Sequence, residues 1–232
     1  LLKHGINTSG ISIHKNVSTS SYFVITDKDD NQLGSFYLGA SKYARNLSVV
    51  SKNIKPDFAI LAPAEPEAMK KYVKECRKNK LSYLYDPAFQ IGAFTADDLL
   101  VGIKGAKILI GNDYEISLIE KKLKISHSKL LNLCPVLITT LGAKGSTIET
   151  AGRKIFIPSA KPRTVVDPTG AGDAYRGGFL AGFLRGFDLK VCGQIGAVAA
   201  AYTVEKYGTV THWFNKKGFV ARYRKDFKEK LI

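Results

Sequence analysis

Asp167-Pro168-Thr169-Gly170-Ala171-Gly172-Asp173 decides how this 232-residue chain is read. Upstream, Thr164-Val165-Val166 reads as a short strand; downstream, Ala174 to Arg185 reads as a helix of small residues. Gly170 and Gly172 flank Ala171 at the junction, and glycine there permits a tight turn and close approach of a ligand to the amides. The first turn of a helix leaves N–H groups unpaired and carries partial positive charge, which makes an anion site. Asp173 sets a carboxylate beside it. An anion hole with a base next to it suits phosphoryl transfer to a hydroxyl: the amides steady charged oxygens while the carboxylate takes the proton. Taken alone, Gly-x-Gly-Asp is also an ordinary helix start with good turn chemistry.

Moving back from the signature, Thr147–Thr150 and Lys154–Pro158 read as a hairpin around Ala151-Gly152-Arg153. Pro135–Thr140 is an apolar strand, followed by the turn Leu141-Gly142-Ala143-Lys144-Gly145-Ser146. A hairpin turn accounts for these glycines, and so does a loop that brings amides to a phosphate; the order and spacing of a Walker A loop are absent. Lys107–Ile110 is a strand, and Asn112-Asp113-Tyr114-Glu115 follows at its carboxyl end, where ligands sit in open α/β sheets. Asn112 with Glu115 three later is also a helix capping box. Further back come a strand over Asp57–Ala62 and a helix from Glu65 with Met69, Tyr72, Val73 and Cys76 on one face. A strand at Leu81–Tyr85 and a helix at Thr95–Gly105 complete an alternation that builds a parallel sheet between helices.

Residues 11–37 read as β structure: Ile11–His14 alternates, and Ser20–Ile25 with Gln32–Tyr37 forms a hairpin whose tip is Asp29–Asn31. Beyond the signature, Leu189–Tyr207 reads as a small-residue helix with Gly208 as its C′ residue. The tail from Lys216 places Phe219, Tyr223, Phe227 and Leu231 in one apolar stripe that docks on the body of the protein, its other positions being largely basic.

The net charge of +15 comes from 35 Lys and Arg against 20 Asp and Glu, scattered through the chain rather than clustered, so a nucleic-acid partner is not expected. No apolar run reaches membrane-span length, and no membrane partner is expected. Cys76, Cys134 and Cys192 fit neither a disulfide framework nor a metal site, which points to a reducing cytoplasmic setting.

Asp-x-x-Gly-Ala-Gly-Asp ahead of a helix resembles the C-terminal signature of the PfkB (ribokinase-like) family of sugar and nucleoside kinases. Thr26-Asp27-x-x-Asp30-Asn31-Gln32-x-x-x-Phe36-Tyr37-x-Gly39-Ala40 is similar to the lid of its adenosine-kinase-like members. The resemblance implies a three-layer α/β fold, with a mostly parallel central sheet between helices and a small β lid. It divides the chain into residues 1–45, an incomplete N-terminal part with the lid hairpin, and residues 46–232, the nucleotide-binding and catalytic domain. The implied activity is ATP-dependent phosphorylation of a hydroxymethyl group on an adenosine-like nucleoside or a sugar. Asp173 becomes the base and a substrate contact, and Gly170, Ala171 and Gly172 form the anion hole. Asn112 and Glu115 hold Mg2+ through water; Thr140, Gly142 and Gly145 meet the nucleotide phosphates; Ala197, Ala200 and Gly208 border the adenine. Gln32 and Phe36 contact the acceptor, and Asp167 neighbours a monovalent cation such as K+. A homodimer through the lid is also implied.

The chain departs from the pattern at Tyr37-Leu38-Gly39, Ala64-Glu65-Pro66 and Asp86-Pro87-Ala88-Phe89, where Tyr-Pro-Gly, Asn-Asp-Pro and Asp-Pro-Gly-Gln are usual. It opens on Leu1 without the block of first strands and the Gly-Gly-Asn motif that family members carry, so a fragment is expected. The alternative expectation is a catalytically inactive nucleotide-binding remnant of such a kinase.

Overall fold

The computed structural model describes residues 2–26, 28, 32–50 and 56–231, apart from the side chains of Lys3, Val24, Thr26 and Gln32. The chain divides into two compact units, residues 1–107 with 122–124 and residues 108–121 with 125–232.

In the first unit, β1 (Ser21–Thr26) and β2 (Gln32–Tyr37) form the expected antiparallel hairpin, in register from Ser21↔Tyr37 to Thr26↔Gln32. Its expected tip at Asp29–Asn31 lies outside the described residues. The expected strand at Ile11–His14 is not formed. Ile11 and Ile13 are exposed, and alternation makes a strand only where a neighbouring strand takes up the backbone bonds. A 3-10 run at Gly39–Asn46 follows the hairpin. It is held on α1 (Pro66–Lys78) by the Tyr72 hydroxyl, which donates to the Ala44 carbonyl at 2.5 Å, and by Lys71 Nζ, which donates to Arg45 and Leu47 carbonyls.

Between these runs β3 (Phe58–Leu61), and α1 begins where the Glu65 carboxylate accepts the Ala68 N–H at 2.9 Å, with Pro66 supplying the preset first turn. Met69, Val73 and Cys76 of the expected stripe are buried. β4 (Ser82–Tyr85) lies parallel to β3, and α2 (Ala96–Gly105) opens on a reciprocal capping box between Thr95 and Asp98.

In the second unit, β5 (Ile108–Asn112) runs parallel to β6 (Val136–Thr140); α3 (Asp113–Leu123) and the short α4 (His127–Leu131) connect them. β7 (Ser146–Thr150) and β8 (Arg153–Ile157) add antiparallel strands beside β6, as the hairpin reading expects. Ile108, Leu109, Leu137, Ile138 and Ile148 are fully buried, which is why β5 and β6 read as continuous apolar runs rather than alternating ones.

α5 (Ala171–Phe183) and α6 (Leu189–Val204) pack with their backbones almost touching. A Cβ on Gly178 would sit 2.9 Å from the Gly196 Cα, so only glycine fits that crossing. α7 (Lys216–Phe227) docks as expected through Tyr223, which is fully buried and donates its hydroxyl to Gln194 Oε1 at 2.5 Å. All three cysteines are buried and free, and burial pushes each thiol up to about 11.

Three local expectations are corrected here. Thr164–Val166 is not a strand: the Val166 and Asp167 N–H groups both donate to the Val204 carbonyl at the end of α6. The signature helix starts at Ala171 rather than Ala174 and ends at Phe183. Gly208 is not the C′ residue of α6, whose cap is Glu205; Gly208 lies three residues further on at φ 85°, with its N–H held by Asp167.

Candidate active site

The signature is built by local bonds. Asp167 Oδ1 accepts the Thr169 N–H at 2.9 Å, and the Ala171 N–H donates back to the Pro168 carbonyl at 3.1 Å. Gly170 takes φ 82° and ψ 0° in that turn, the values of the third residue of a type II turn, which favour glycine. Asp167 Oδ2 accepts the Gly208 N–H at 2.9 Å, so one carboxylate ties the loop to the segment after α6. The Thr169 hydroxyl and the two amides hold that carboxylate below its ordinary pKa.

The Ala171 N–H is committed to Pro168, whereas Gly172 and Asp173, next in the first turn of α5, have no i−4 carbonyl within the helix to take their N–H groups. Asp173 is exposed, and Arg176 one turn on, itself largely buried, forms an ion pair with its Oδ1. The i,i+3 spacing was visible in the sequence, but the pairing was not assigned there.

A cleft of about 310 Å³ lies in the second unit. It brings together Thr140 at the end of β6 with Gly142 and Gly145 of the β6–β7 connection, Ala171 and Gly172 from α5, and Ala197 and Ala200 from α6. Seven of the residues singled out in the sequence thus come from three separate segments into one cavity. Asn112, Glu115, Gly170, Asp173 and Gly208 are not among its lining residues. Small side chains dominate the walls, which leaves backbone close to any occupant.

Asn112 and Glu115 form the capping box: the Glu115 N–H donates to Asn112 Oδ1 at 2.8 Å, and the Asn112 N–H donates to Glu115 Oε2 at 2.7 Å. Glu115 Oε1 takes no part in it. Among the described residues no group of three or more His, Cys, Asp or Glu side chains could hold a metal ion by itself.

In the first unit, Phe36 on β2 meets Phe89, with ring centroids 5.7 Å apart, and both rings are exposed. Phe89 was noted in the sequence only as a departure from a pattern. It sits just after Ala88, which is held at φ 39°. Gln32 opens β2; its side chain lies outside the described residues.

An α/β architecture with a glycine turn at the start of α5 and a carboxylate beside it is the arrangement that the comparisons place among phosphotransferases acting on a hydroxyl. The model of the pfkB family carbohydrate kinases matches residues 1–215, and the chain belongs to that family. It is 35% identical over 207 residues to a nucleoside kinase of Methanocaldococcus jannaschii, covering 89% of this chain and 68% of the relative. A solved nucleoside kinase of Burkholderia thailandensis in complex with inosine superposes with a TM-score of 0.92 at 27% identity, over 98% of this chain and 75% of that one. The crystal structure of the M. jannaschii nucleoside kinase, an archaeal member of the ribokinase family, gives a TM-score of 0.83 at 34% identity, over 91% and 70%. The fold is therefore the ribokinase-like α/β fold, and the chain is a kinase of the nucleoside and sugar class. Among the described residues no helix is long and apolar enough to cross a membrane.

Proposed function

We propose that the chain transfers the terminal phosphoryl group of ATP to a hydroxymethyl group, with an adenosine-like nucleoside as the first acceptor class and sugars as the second. The observation that carries this reading is the cleft shared by the β6–β7 connection, the start of α5 and the small residues of α6. Thr140, Gly142 and Gly145 bind the phosphates, and Ala197, Ala200 and Gly208 border the adenine. Asp173 accepts the hydroxyl proton as that oxygen bonds to the terminal phosphorus and the bond to the ADP oxygen breaks. The Gly170–Gly172 turn, with the N–H groups of Gly172 and Asp173, carries the charge on the transferring group.

Asn112 and Glu115 hold Mg2+ through water, an arrangement that suits a hard cation bringing its own waters and phosphate ligands. That ion supplies charge neutralisation on the phosphates when bound. Asp167 borders a monovalent cation such as K+. Gln32 and Phe36 contact the acceptor, and the exposed Phe36–Phe89 pair supports a planar base over a bare sugar because aromatic faces stack on bases. The hairpin of residues 1–45 acts as the lid and as a homodimer contact, and the protein works in the cytoplasm without nucleic acid or membrane.

Turnover of ATP with adenosine, inosine, cytidine, ribose and fructose tests the reading. Phosphorylation of a nucleoside ahead of both sugars supports it; ATP binding without transfer to any acceptor would favour the inactive remnant.

A further inference from the structure

The proposed nucleotide cleft is lined by Pro162 and Val165 of the loop before the signature and by Ala201 and Val204 near the end of α6, and the two segments meet where the Val166 and Asp167 N–H groups donate to the Val204 carbonyl. Both segments pass beside one side chain on α7. Arg222 Nη2 donates to the Lys161 carbonyl, next to Pro162, and to Glu205 Oε1, next to Val204, each at 2.7 Å. The same Glu205 oxygen accepts the Arg163 N–H at 2.6 Å. The guanidinium also lies 4.5 Å over the Tyr202 ring, and Nε is 3.7 Å from Asp226 Oδ2. Side chains of Arg222, Glu205 and Asp226 are all about nine-tenths buried. Burial works against the Glu205 carboxylate, but Arg222 and the Arg163 amide outweigh it and hold its pKa below the ordinary value.

We infer that Arg222 is a positioning residue for the nucleotide: it braces the 161–165 loop against the end of α6 and so holds the shape of the cleft where these two segments line it. The clamp lies on α7, beyond the residues 1–215 matched by the family model. Both bonds come from Nη2, which lies one atom farther along the side chain than a lysine ammonium would, and the flat guanidinium lies over the Tyr202 ring, so lysine matches neither the reach nor the stacking. The inference rests on the cleft being the ATP site.

The test is titration calorimetry of ATP into the whole chain, wild type against Arg222→Lys and Arg222→Met, with thermal midpoints alongside. A purely structural role lowers the binding stoichiometry and the midpoint and leaves the dissociation constant of the folded molecules unchanged. A positioning role raises the dissociation constant at full stoichiometry. We expect Arg222→Lys, which keeps the charge opposite Glu205, to stay folded and to bind ATP about tenfold more weakly, and Arg222→Met to bind more weakly still. Should Arg222→Met fail to fold, Arg222→Lys decides alone. Unchanged affinity in folded Arg222→Lys overturns the clamp and leaves the ATP site standing. No ATP binding by the wild type overturns the ATP site and the clamp with it.

Discussion

Gly145→Ala is the sharpest structural perturbation of the proposed phosphate loop. Gly145 closes the β6–β7 connection at φ 109° and ψ −135°, a backbone region that side chains rarely enter. Holding a non-glycine residue in such a region costs roughly 1–3 kcal/mol. The space is also absent: the new Cβ would lie 2.1 Å from the Ile157 carbonyl oxygen, 2.9 Å from the Ser159 nitrogen and 3.0 Å from the Pro158 carbonyl carbon. All three are backbone atoms. Ile157 is fully buried and paired with Ser146 across β7 and β8, so retreat disturbs the ladder and the Leu141 N–H to Gly145 carbonyl bond at 2.8 Å. With about 1–3 kcal/mol more for the overpacking, the two costs together come to about 2–6 kcal/mol, at the strong end of single-site effects. Urea unfolding reads this out: with an ordinary slope for a chain of this size the midpoint drops by about 1 M or more. Gly152→Ala in the neighbouring hairpin turn is the control, since nothing lies within 4 Å of its added Cβ, and a shift within about 0.5 kcal/mol is expected there. Equal stability losses at the two positions would refute the argument.

Gly172→Ala gives the opposite pattern. Nothing lies within 4 Å of its added Cβ and the backbone is helical, so stability should hold or rise by up to about 1 kcal/mol. The methyl group enters the cleft that Gly172 lines, so turnover should fall about tenfold or more if amides must approach the phosphoryl group closely; kinase assays beside melting curves check both halves. His127 bridges Glu120, 2.6 Å from Nδ1, and Glu149, 3.1 Å from Nε2, with Lys154 also on Glu149 at 3.0 Å. Burial disfavours its charge, yet the two carboxylates outweigh burial and raise its pKa above 6.5. A raised pKa contributes stability that is fully present below the unfolded value and is lost as pH rises through the folded value. The stability gap between wild type and His127→Gln should therefore be wider at pH 6 than at pH 8.5; a gap independent of pH would refute the charged bridge.

Local chemistry made much of this molecule legible. Glu65-Pro66, Thr95 with Asp98, and Asn112 with Glu115 announce helix starts within four residues, and each helix begins there. The run 167–173 was readable because its turn is made by its own bonds, from Asp167 to Thr169 and from Ala171 to Pro168. What escaped depends on distant partners. Ile11–His14 alternates as a strand does but has exposed isoleucines, and Thr164–Val166 is β-branched yet bonds to the end of a helix. Gly208 looked like a helix stop because it follows α6, while its position is set by Asp167 forty-one residues earlier. Arg222 sits among the largely basic positions of the tail, and only the tertiary fold brings Glu205, Lys161 and Tyr202 around it. Phe89 shows the same limit: its contact with Phe36 joins segments far apart in sequence.

The most direct measurement is the rate of phosphoryl transfer from ATP to adenosine or inosine by the wild-type chain and by Asp173→Asn, with ATP binding followed in both. Asparagine preserves the shape at the start of α5 but cannot take a proton. The account predicts intact ATP binding and a fall in kcat of about 10²–10⁴-fold, the range for loss of a positioned general base. An Asp173→Asn chain that transfers phosphate at the wild-type rate would contradict it.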